Sequence, residues 1–249
     1  MIKVLISGCG GKMGHVVANE FAARDNMQVA AGIDLKPCIC DFPVFPSPAE
    51  VNVPIDAVID FSNPSALQPL LAYAKREKKP LVLCTTGYND DQVAALKEAS
   101  KQVPIFYSRN MSLGINLMIE LCKKAAQVLG PAFDVEVIEA HHNQKIDAPS
   151  GTALMIADAI SDVRNGETHY IYDRHSQRKK REPSEIGIHS IRGGTIVGEH
   201  EVLFAGHHET IKISHSAQSK EVFASGAVNA AIFLVDKPAG LYDMSDMLK

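Results

Sequence analysis

The sequence lacks an excess of positive charge, a long apolar run and any paired arrangement of cysteines. It has 25 Lys and Arg residues against 29 Asp and Glu, a formal net charge of −4, whereas nucleic-acid-binding domains usually carry a basic face. Its longest uncharged and mostly apolar run, residues 222–235, is too short to cross a bilayer and includes Ser225 and Asn229. We therefore expect no nucleic-acid partner and no membrane partner.

The five cysteines are scattered and include no CxxC pair. An odd, unpaired set is typical of free thiols in a reducing compartment, so we expect a cytoplasmic protein. Residues 2–6 lead directly into a glycine-rich turn, which is unlike a signal peptide. With 46% hydrophobic and 22% charged residues, the composition is that of a folded globular chain rather than a disordered or collagen-like one.

The first half of the chain alternates short apolar strands with amphipathic helices. Strands are predicted at 3–7, 28–34, 56–61, 80–85 and 103–107, and helices at 12–24, 65–78 and 90–101. Such alternation is typical of right-handed βαβ units that build a parallel sheet.

The pattern changes after residue 110. Helices are predicted at 113–129, 150–163 and 222–235, strands at 134–142, 186–192, 195–204 and 209–216, and a loop at 164–185. Gly193-Gly194 and Gly206-His207-His208 indicate hairpin turns, and the tail 240–248 is mixed. The predicted fold class is α/β: a Rossmann-like parallel-sheet domain plus an α+β domain with an open mixed sheet.

Glycines follow the first predicted strand and open the first helix. Gly8, Gly11 and Gly14 are spaced by three, with Gly10 between them, whereas the strict dinucleotide fingerprint would place a glycine at Met13. Glycine permits close approach of a pyrophosphate to the backbone at a helix N-terminus. A turn that only packs the helix on the strand is the alternative.

The charges after the second predicted strand bear on the cofactor. Asp34 stands where an acidic residue accepts hydrogen bonds from the adenosine ribose, and it would repel a 2′-phosphate. Lys12 and Lys36 could offset that repulsion or lie solvated at the surface, and Leu35 carries no charge. We therefore expect NADH or NADPH as the cofactor, with NADH favoured.

Nine of the ten histidines lie between His141 and His215, and the segment 139–152 (EAHHNQKIDAPSGT) combines several reactive groups. His141 and His142 end a predicted strand and point to opposite faces, and Lys145 follows in a turn. Ser150 is a good N-cap for a helix that continues with Gly151 and Thr152. These groups suit a dicarboxylate substrate and a proton transfer near neutral pH; an ordinary capped helix is the alternative.

A metal site is the other interpretation of the histidines. The pairs His141-His142 and His207-His208 would each supply one ligand, because neighbouring strand residues face opposite ways. The chain has no HExxH and no cysteine-rich metal signature. We expect no metal.

The chain resembles the dihydrodipicolinate reductase family along essentially its whole length. The resemblance is carried by residues 8–14, 85–88, 110–116, 139–153, 197–200 and 240–244, and the His-His-Lys and Ser-Gly-Thr residues of 139–153 are its most specific part. It implies an oxidoreductase of the diaminopimelate route to lysine that uses NADH or NADPH to reduce 4-hydroxy-tetrahydrodipicolinate to tetrahydrodipicolinate.

The resemblance also implies the domain organisation. Residues 1–112 with 220–249 would form the dinucleotide-binding domain. Residues 113–219 would form the substrate-binding and oligomerisation domain, which in this family usually builds a homotetramer through its sheet.

Roles for single residues follow from the same resemblance. His141 would donate and accept protons, Lys145 would donate a proton, and His142, Gly151 and Thr152 would contact the substrate, with Ser150 beside them. The implied cofactor contacts are Gly8, Cys9, Gly10, Gly11, Lys12, Met13, Asp34, Cys84, Thr85, Thr86, Ser108, Arg109, Asn110 and Met111. The family often has Gly in place of Cys84, Glu in place of Asp34 and a basic residue in place of Leu35.

Two other functions are compatible with these residues. One is a different Rossmann-type reductase of a small dicarboxylate, which a substrate screen with NADH consumption would separate. The other is a non-catalytic NAD(P)-sensing protein, which should bind the cofactor but lack the intact pair of His141 and Lys145.

Overall fold

The structure is a computed structural model, and it describes residues 1–22 and 24–248. The chain forms two compact units: a first unit of Met1–Leu113 with Lys220–Lys249, and a second unit of Gly114–Ser219. Within the described ranges, no helix is both long enough and apolar enough to cross a membrane.

The elements alternate along the chain. The strands are β1 (Ile2–Ser7), β2 (Met27–Ile33), β3 (Val44–Phe45), β4 (Ala57–Asp60), β5 (Leu81–Leu83), β6 (Pro104–Tyr107), β7 (Asp134–His141), β8 (His169–Ile171), β9 (Glu185–Arg192), β10 (Gly198–Ala205), β11 (Thr210–Ala217) and β12 (Gly240–Tyr242). The helices are α1 (Lys12–Ala22), α2 (Leu67–Glu77), α3 (Asp90–Ser100), α4 (Leu113–Leu129), α5 (Gly151–Val163), α6 (Glu221–Val235) and α7 (Met244–Met247).

A seven-stranded sheet of order β12-β6-β5-β4-β1-β2-β3 forms the centre of the first unit, and all its strand pairs are parallel. Neighbouring residues of a strand face opposite sides, so Ile6 packs in the cluster that includes α1 and α6, while Leu5 packs in the cluster that includes α2 and α3. Burial on both faces requires nearly continuous apolar strands. The predicted Rossmann-like parallel sheet is confirmed.

The second unit contains a five-stranded mixed sheet of order β11-β10-β7-β9-β8. β10 is antiparallel to β7 and β11, and β9 is parallel to β7 and β8. Apolar side chains of α4 and α5 pack with Val137, Ile188 and Phe204 in one core. The predicted open mixed sheet is confirmed, as is the helix at 113–129.

Strand pairing corrects three of the predictions. Gly193-Gly194 does not turn a hairpin, because β7 lies between β9 and β10; the β10–β11 hairpin at Gly206 is confirmed. The predicted loop 164–185 contains β8, and the mixed tail contributes β12 beside β6. β12 pairs with a strand that is distant in sequence, whereas β8 and β3 are only three and two residues long, too short for a clear periodicity. The sequence predicts no strand at β3.

Candidate active site

The parallel strands of the first unit bring the predicted cofactor contacts to one edge of the sheet. Residues 8–13 follow β1, Asp34 follows β2, residues 84–86 follow β5 and residues 108–111 follow β6. Strand order reverses between β1 and β4, which is the position where open α/β sheets form a ligand crevice at their carboxyl ends.

The glycine turn after β1 packs closely against the start of α1. Gly8 has φ +80°, and a Cβ on Gly14 would lie 2.2 Å from the Gly8 carbonyl oxygen. The Gly11 N–H donates to that oxygen over 3.1 Å, and α1 begins at Lys12. These residues therefore fit a dinucleotide whose pyrophosphate lies on the turn and the helix N-terminus.

Asp34 is hydrogen-bonded to the same turn. Its Oδ2 accepts a hydrogen bond from the Gly10 N–H and its Oδ1 accepts one from the Lys36 N–H, each over 3.0 Å. Leu35 is 80% exposed. The carboxylate is thus oriented by backbone groups beside the glycines.

The other predicted cofactor contacts differ in exposure. In the segments 84–86 and 108–111, Thr86 and Arg109 are exposed. The other members are half-buried or buried: Cys84, Thr85, Ser108, Asn110 and Met111. The Ser108 Oγ donates to the Asn110 carbonyl over 2.8 Å, which shapes the segment after β6.

Asp60 was not among the predicted site residues. It ends β4 with no exposed surface, and it accepts hydrogen bonds from Thr85 Oγ1 (2.7 Å) and Ser62 Oγ (2.5 Å). Burial raises the pKa of Asp60, although both hydroxyls act in the opposite direction. The carboxyl group holds the Thr85 segment to the neighbouring strand, and its only sequence signal was an acid near the end of a predicted strand.

A buried carboxylate organises the site of the second unit. Glu139 has no exposed surface, and Arg192 donates to both of its oxygens, over 2.7 and 2.9 Å. The Ser150 N–H donates to Glu139 Oε1 over 3.1 Å, and His141 Nδ1 lies 2.5 Å from Oε2. One carboxylate thereby joins β7, β9 and the start of α5.

Burial and the hydrogen bonds of this network determine the protonation states of Glu139 and His141. Burial by itself would raise the pKa of Glu139, but hydrogen bonds from Arg192, Ser190 and His141 outweigh it and lower the pKa to about 2. Burial lowers the pKa of His141, while Glu139 acts in the opposite direction. At neutral pH the pair is therefore a carboxylate and a neutral imidazole, with Nδ1–H facing Glu139.

Lys145 lies in the turn after β7. Its ammonium is 2.8 Å from Asp147 Oδ1, and its backbone N–H donates to the His142 carbonyl over 3.1 Å. The positive charge of Lys145 lowers the pKa of His141, after burial and against the effect of Glu139. The structure thus brings Lys145 within electrostatic reach of His141.

The Ser150 side chain is buried and makes its contacts within the protein. It is 2% exposed, its Oγ accepts the Ala153 N–H over 3.2 Å, and it lies 3.2 Å from His200 Nε2. Gly151 is exposed and Thr152 is half-buried at the N-terminus of α5. The predicted N-cap is present, and the more accessible part of the helix start is formed by Gly151 and Thr152.

His200 and Arg192 belong to the network but had no predicted role. The His200 ring is centred 5.3 Å from that of His141, in an edge-to-face arrangement, and burial lowers its pKa to about 4. The signals for His200 were the His-rich composition and its place in the matching segment 197–200, and Arg192 had none, because its link to Glu139 spans 53 positions.

Comparisons with known proteins agree with this geometry. Residues 2–111 match the family model for the N-terminus of dihydrodipicolinate reductase, and residues 114–248 match the one for its C-terminus. The 4-hydroxy-tetrahydrodipicolinate reductases of Caldanaerobacter subterraneus subsp. tengcongensis and Clostridium tetani are 52% and 47% identical; the alignments cover 100% of this chain and 99% and 97% of those proteins.

Solved structures give the same result. A dipicolinate-bound dihydrodipicolinate reductase from Paenisporosarcina sp. TG-14 superposes with a TM-score of 0.82 at 28% identity, covering 98% of this chain and 97% of that one. A probable dehydrogenase from Thermotoga maritima reaches 0.64 at 12% identity, covering 98% and 92%, and so shares the fold alone.

Proposed function

The chain belongs to the dihydrodipicolinate reductase family, and we propose from this premise how its residues work. It is an oxidoreductase that reduces 4-hydroxy-tetrahydrodipicolinate to tetrahydrodipicolinate with a nicotinamide cofactor, in the diaminopimelate route of lysine biosynthesis. The observation that carries the assignment of roles is the network in which Glu139 and Arg192 hold His141 near Lys145. Oxidation of NADH or NADPH by the purified enzyme, with substrate made in situ by the upstream synthase, tests the activity.

We assign cofactor binding to residues 1–112 with 220–249, and substrate binding and oligomerisation to residues 113–219, a boundary one residue away from the division between the two compact units. When bound, the nicotinamide supplies the hydride. The turn 8–13 would hold the pyrophosphate at the N-terminus of α1, and Asp34 would accept hydrogen bonds from the adenosine ribose. The segments 84–86 and 108–111 line the same sheet edge and complete the cofactor site.

His141 moves the proton that accompanies reduction. Its Nδ1–H is directed to Glu139, so Nε2 is the nitrogen through which a proton passes to and from the substrate. Because burial lowers the pKa of His141, the imidazole is neutral before substrate binds and accepts a proton before it can donate one. Glu139 is a positioning residue that keeps the tautomer and stabilises the transient imidazolium.

Lys145, His142, Gly151 and Thr152 bind the carboxylates of the substrate. The positive end of the helix dipole at the start of α5 favours an anion, and Lys145 adds a full positive charge. Lys145 would also donate a proton to the substrate. Ser150, whose hydroxyl caps α5, contributes by fixing the helix start.

The cofactor preference depends on Asp34. We expect Asp34→Ser to weaken NADH binding, because the ribose hydroxyls lose an acceptor, while NADPH binding holds or rises as repulsion of the 2′-phosphate disappears. Isothermal titration with each cofactor measures both effects, and Asp41→Ser, an exposed acid in the same loop, is the matched control. Parallel losses for the two cofactors would remove the basis for favouring NADH.

The sheet of the second unit supports a homotetramer. Among its described residues, no helix packs on the face that carries Ile138, Ala140 and Ile191, and Ile191 is 51% exposed. We expect light scattering after gel filtration to give four chains, and Ile191→Glu to give smaller species because it places a charge in the buried contact. A wild-type monomer at micromolar concentration would contradict this assembly.

The location we propose is the cytoplasm. All five cysteines are free thiols in the structure, which suits a reducing compartment.

A further inference from the structure

Three of the five thiols meet beside the cofactor turn. Cys9 lies in the turn after β1, while Cys38 and Cys40 lie in the segment after β2. The Cys38 sulfur is 3.8 Å from each of the other two, and all three sulfurs lie within 4.8 Å of one another. Across residues 1–22 and 24–248, no other three His, Cys, Asp or Glu side chains converge in this way.

The two sulfur separations of 3.8 Å match a common metal centre. Thiolates bind Zn²⁺ at about 2.3 Å in a tetrahedral arrangement, which separates neighbouring sulfurs by about 3.8 Å. Thiolate ligands also select zinc and copper(I) over magnesium, calcium and manganese. We infer that Cys9, Cys38 and Cys40 form a binding site for one Zn²⁺ ion.

The site would connect two parts of the first unit. A Cβ added to Gly10 would lie 3.1 Å from Cys38 Sγ and 3.0 Å from Asp34 Oδ2, so the sulfurs adjoin the carboxylate that is fastened to the cofactor turn. A bound ion ties the segment 38–40 to that turn. Because the ion binds only where folding has assembled the three sulfurs, it stabilises the folded chain.

The test uses the full chain, reduced and stripped of metal with a chelator. We expect isothermal titration with Zn²⁺ alone to give one ion per chain, and Co²⁺ as a probe to produce thiolate-to-cobalt charge-transfer absorption. Cys38→Ser and Cys40→Ser should each weaken binding by at least about 100-fold, because loss of a group that merely orients a ligand already costs about 10- to 100-fold. Cys122→Ala, which removes a thiol in the core of the second unit, should bind Zn²⁺ as the wild type does.

A second measurement on the wild type keeps the test independent of how the variants fold. Zn²⁺ should protect Cys38 and Cys40 from alkylation by iodoacetamide, as read by mass spectrometry. The inference is overturned if the reduced wild type binds no Zn²⁺, if the serine variants bind it equally well, or if the cluster only forms a disulfide on oxidation. All of these readouts are independent of reductase activity, so they stand apart from the proposed function.

Discussion

Replacing His141 with Gln lowers turnover by about 10²-fold or more, the usual scale for loss of a general acid–base. The imidazole is held by Glu139 through Nδ1, so Nε2 is left as the proton-carrying atom, and Gln cannot replace it because an amide does not titrate near neutral pH. Steady-state kinetics with substrate generated in situ measures the effect. NADH affinity should be unchanged, because the glycine turn belongs to the first unit.

Glu139→Gln is the companion variant for His141. Glu139 raises the pKa of His141 against the stronger effect of burial, so its neutralisation should lower that pKa further. The acidic limb of the kcat/KM profile then moves to lower pH in Glu139→Gln and disappears in His141→Gln. Near-normal turnover of His141→Gln would refute its role. If the acidic limb of the kcat/KM profile stays at the wild-type pH in Glu139→Gln, Glu139 has a structural role only.

Replacing Lys145 with Met also lowers turnover by about 10²-fold or more, and it raises the Michaelis constant. Met keeps an unbranched side chain but removes the charge that binds a carboxylate and the proton that reaches the substrate. A residue that only binds would raise the Michaelis constant and leave turnover at saturating substrate nearly unchanged. Both constants and the NADH affinity are measured on one purified variant.

Two controls separate charge from packing at Lys145. Lys124→Met changes an exposed lysine of α4 and should leave both kinetic constants unchanged. Asp147→Asn removes the partner of the ion pair while the ammonium remains, so turnover should stay within a few-fold of wild type. Normal turnover in Lys145→Met, loss of NADH binding, or an equal loss in Asp147→Asn would contradict a proton-donating role.

The predicted elements that the structure confirms are those with strong local signals. The helix 113–129 carries its own apolar face, and Asn89 and Gln92 form a reciprocal capping box at the start of α3. The β10–β11 hairpin is confirmed because its turn joins strands adjacent in sequence. Gly193-Gly194 shows the same turn signal, yet β7 separates the strands that it links. A local turn signal therefore does not show whether a third strand lies between the two strands that the turn links.

For the candidate site, residue type and chain proximity indicated His141, Lys145 and the start of α5, since these groups lie within twelve positions of one another. Arg192 and His200 come from other strands. Their contacts depend on the register in which β9 and β10 flank β7, which places Arg192 opposite His141 and His200 opposite Glu139. A register shift of one residue would turn these side chains to the other face.

The sequence by itself determined the family, the two kinds of sheet and the reactive groups, because apolar periodicity and short motifs are properties of neighbouring residues. Only the tertiary structure decided what those groups do to one another. It placed Arg192 against the buried Glu139, where hydrogen bonds lower the pKa of the carboxyl group despite burial, and the carboxylate keeps the imidazole of His141 oriented. It also gathered Cys9, Cys38 and Cys40, which look scattered along the chain. In both places, burial and distance depend on strand pairing between remote residues.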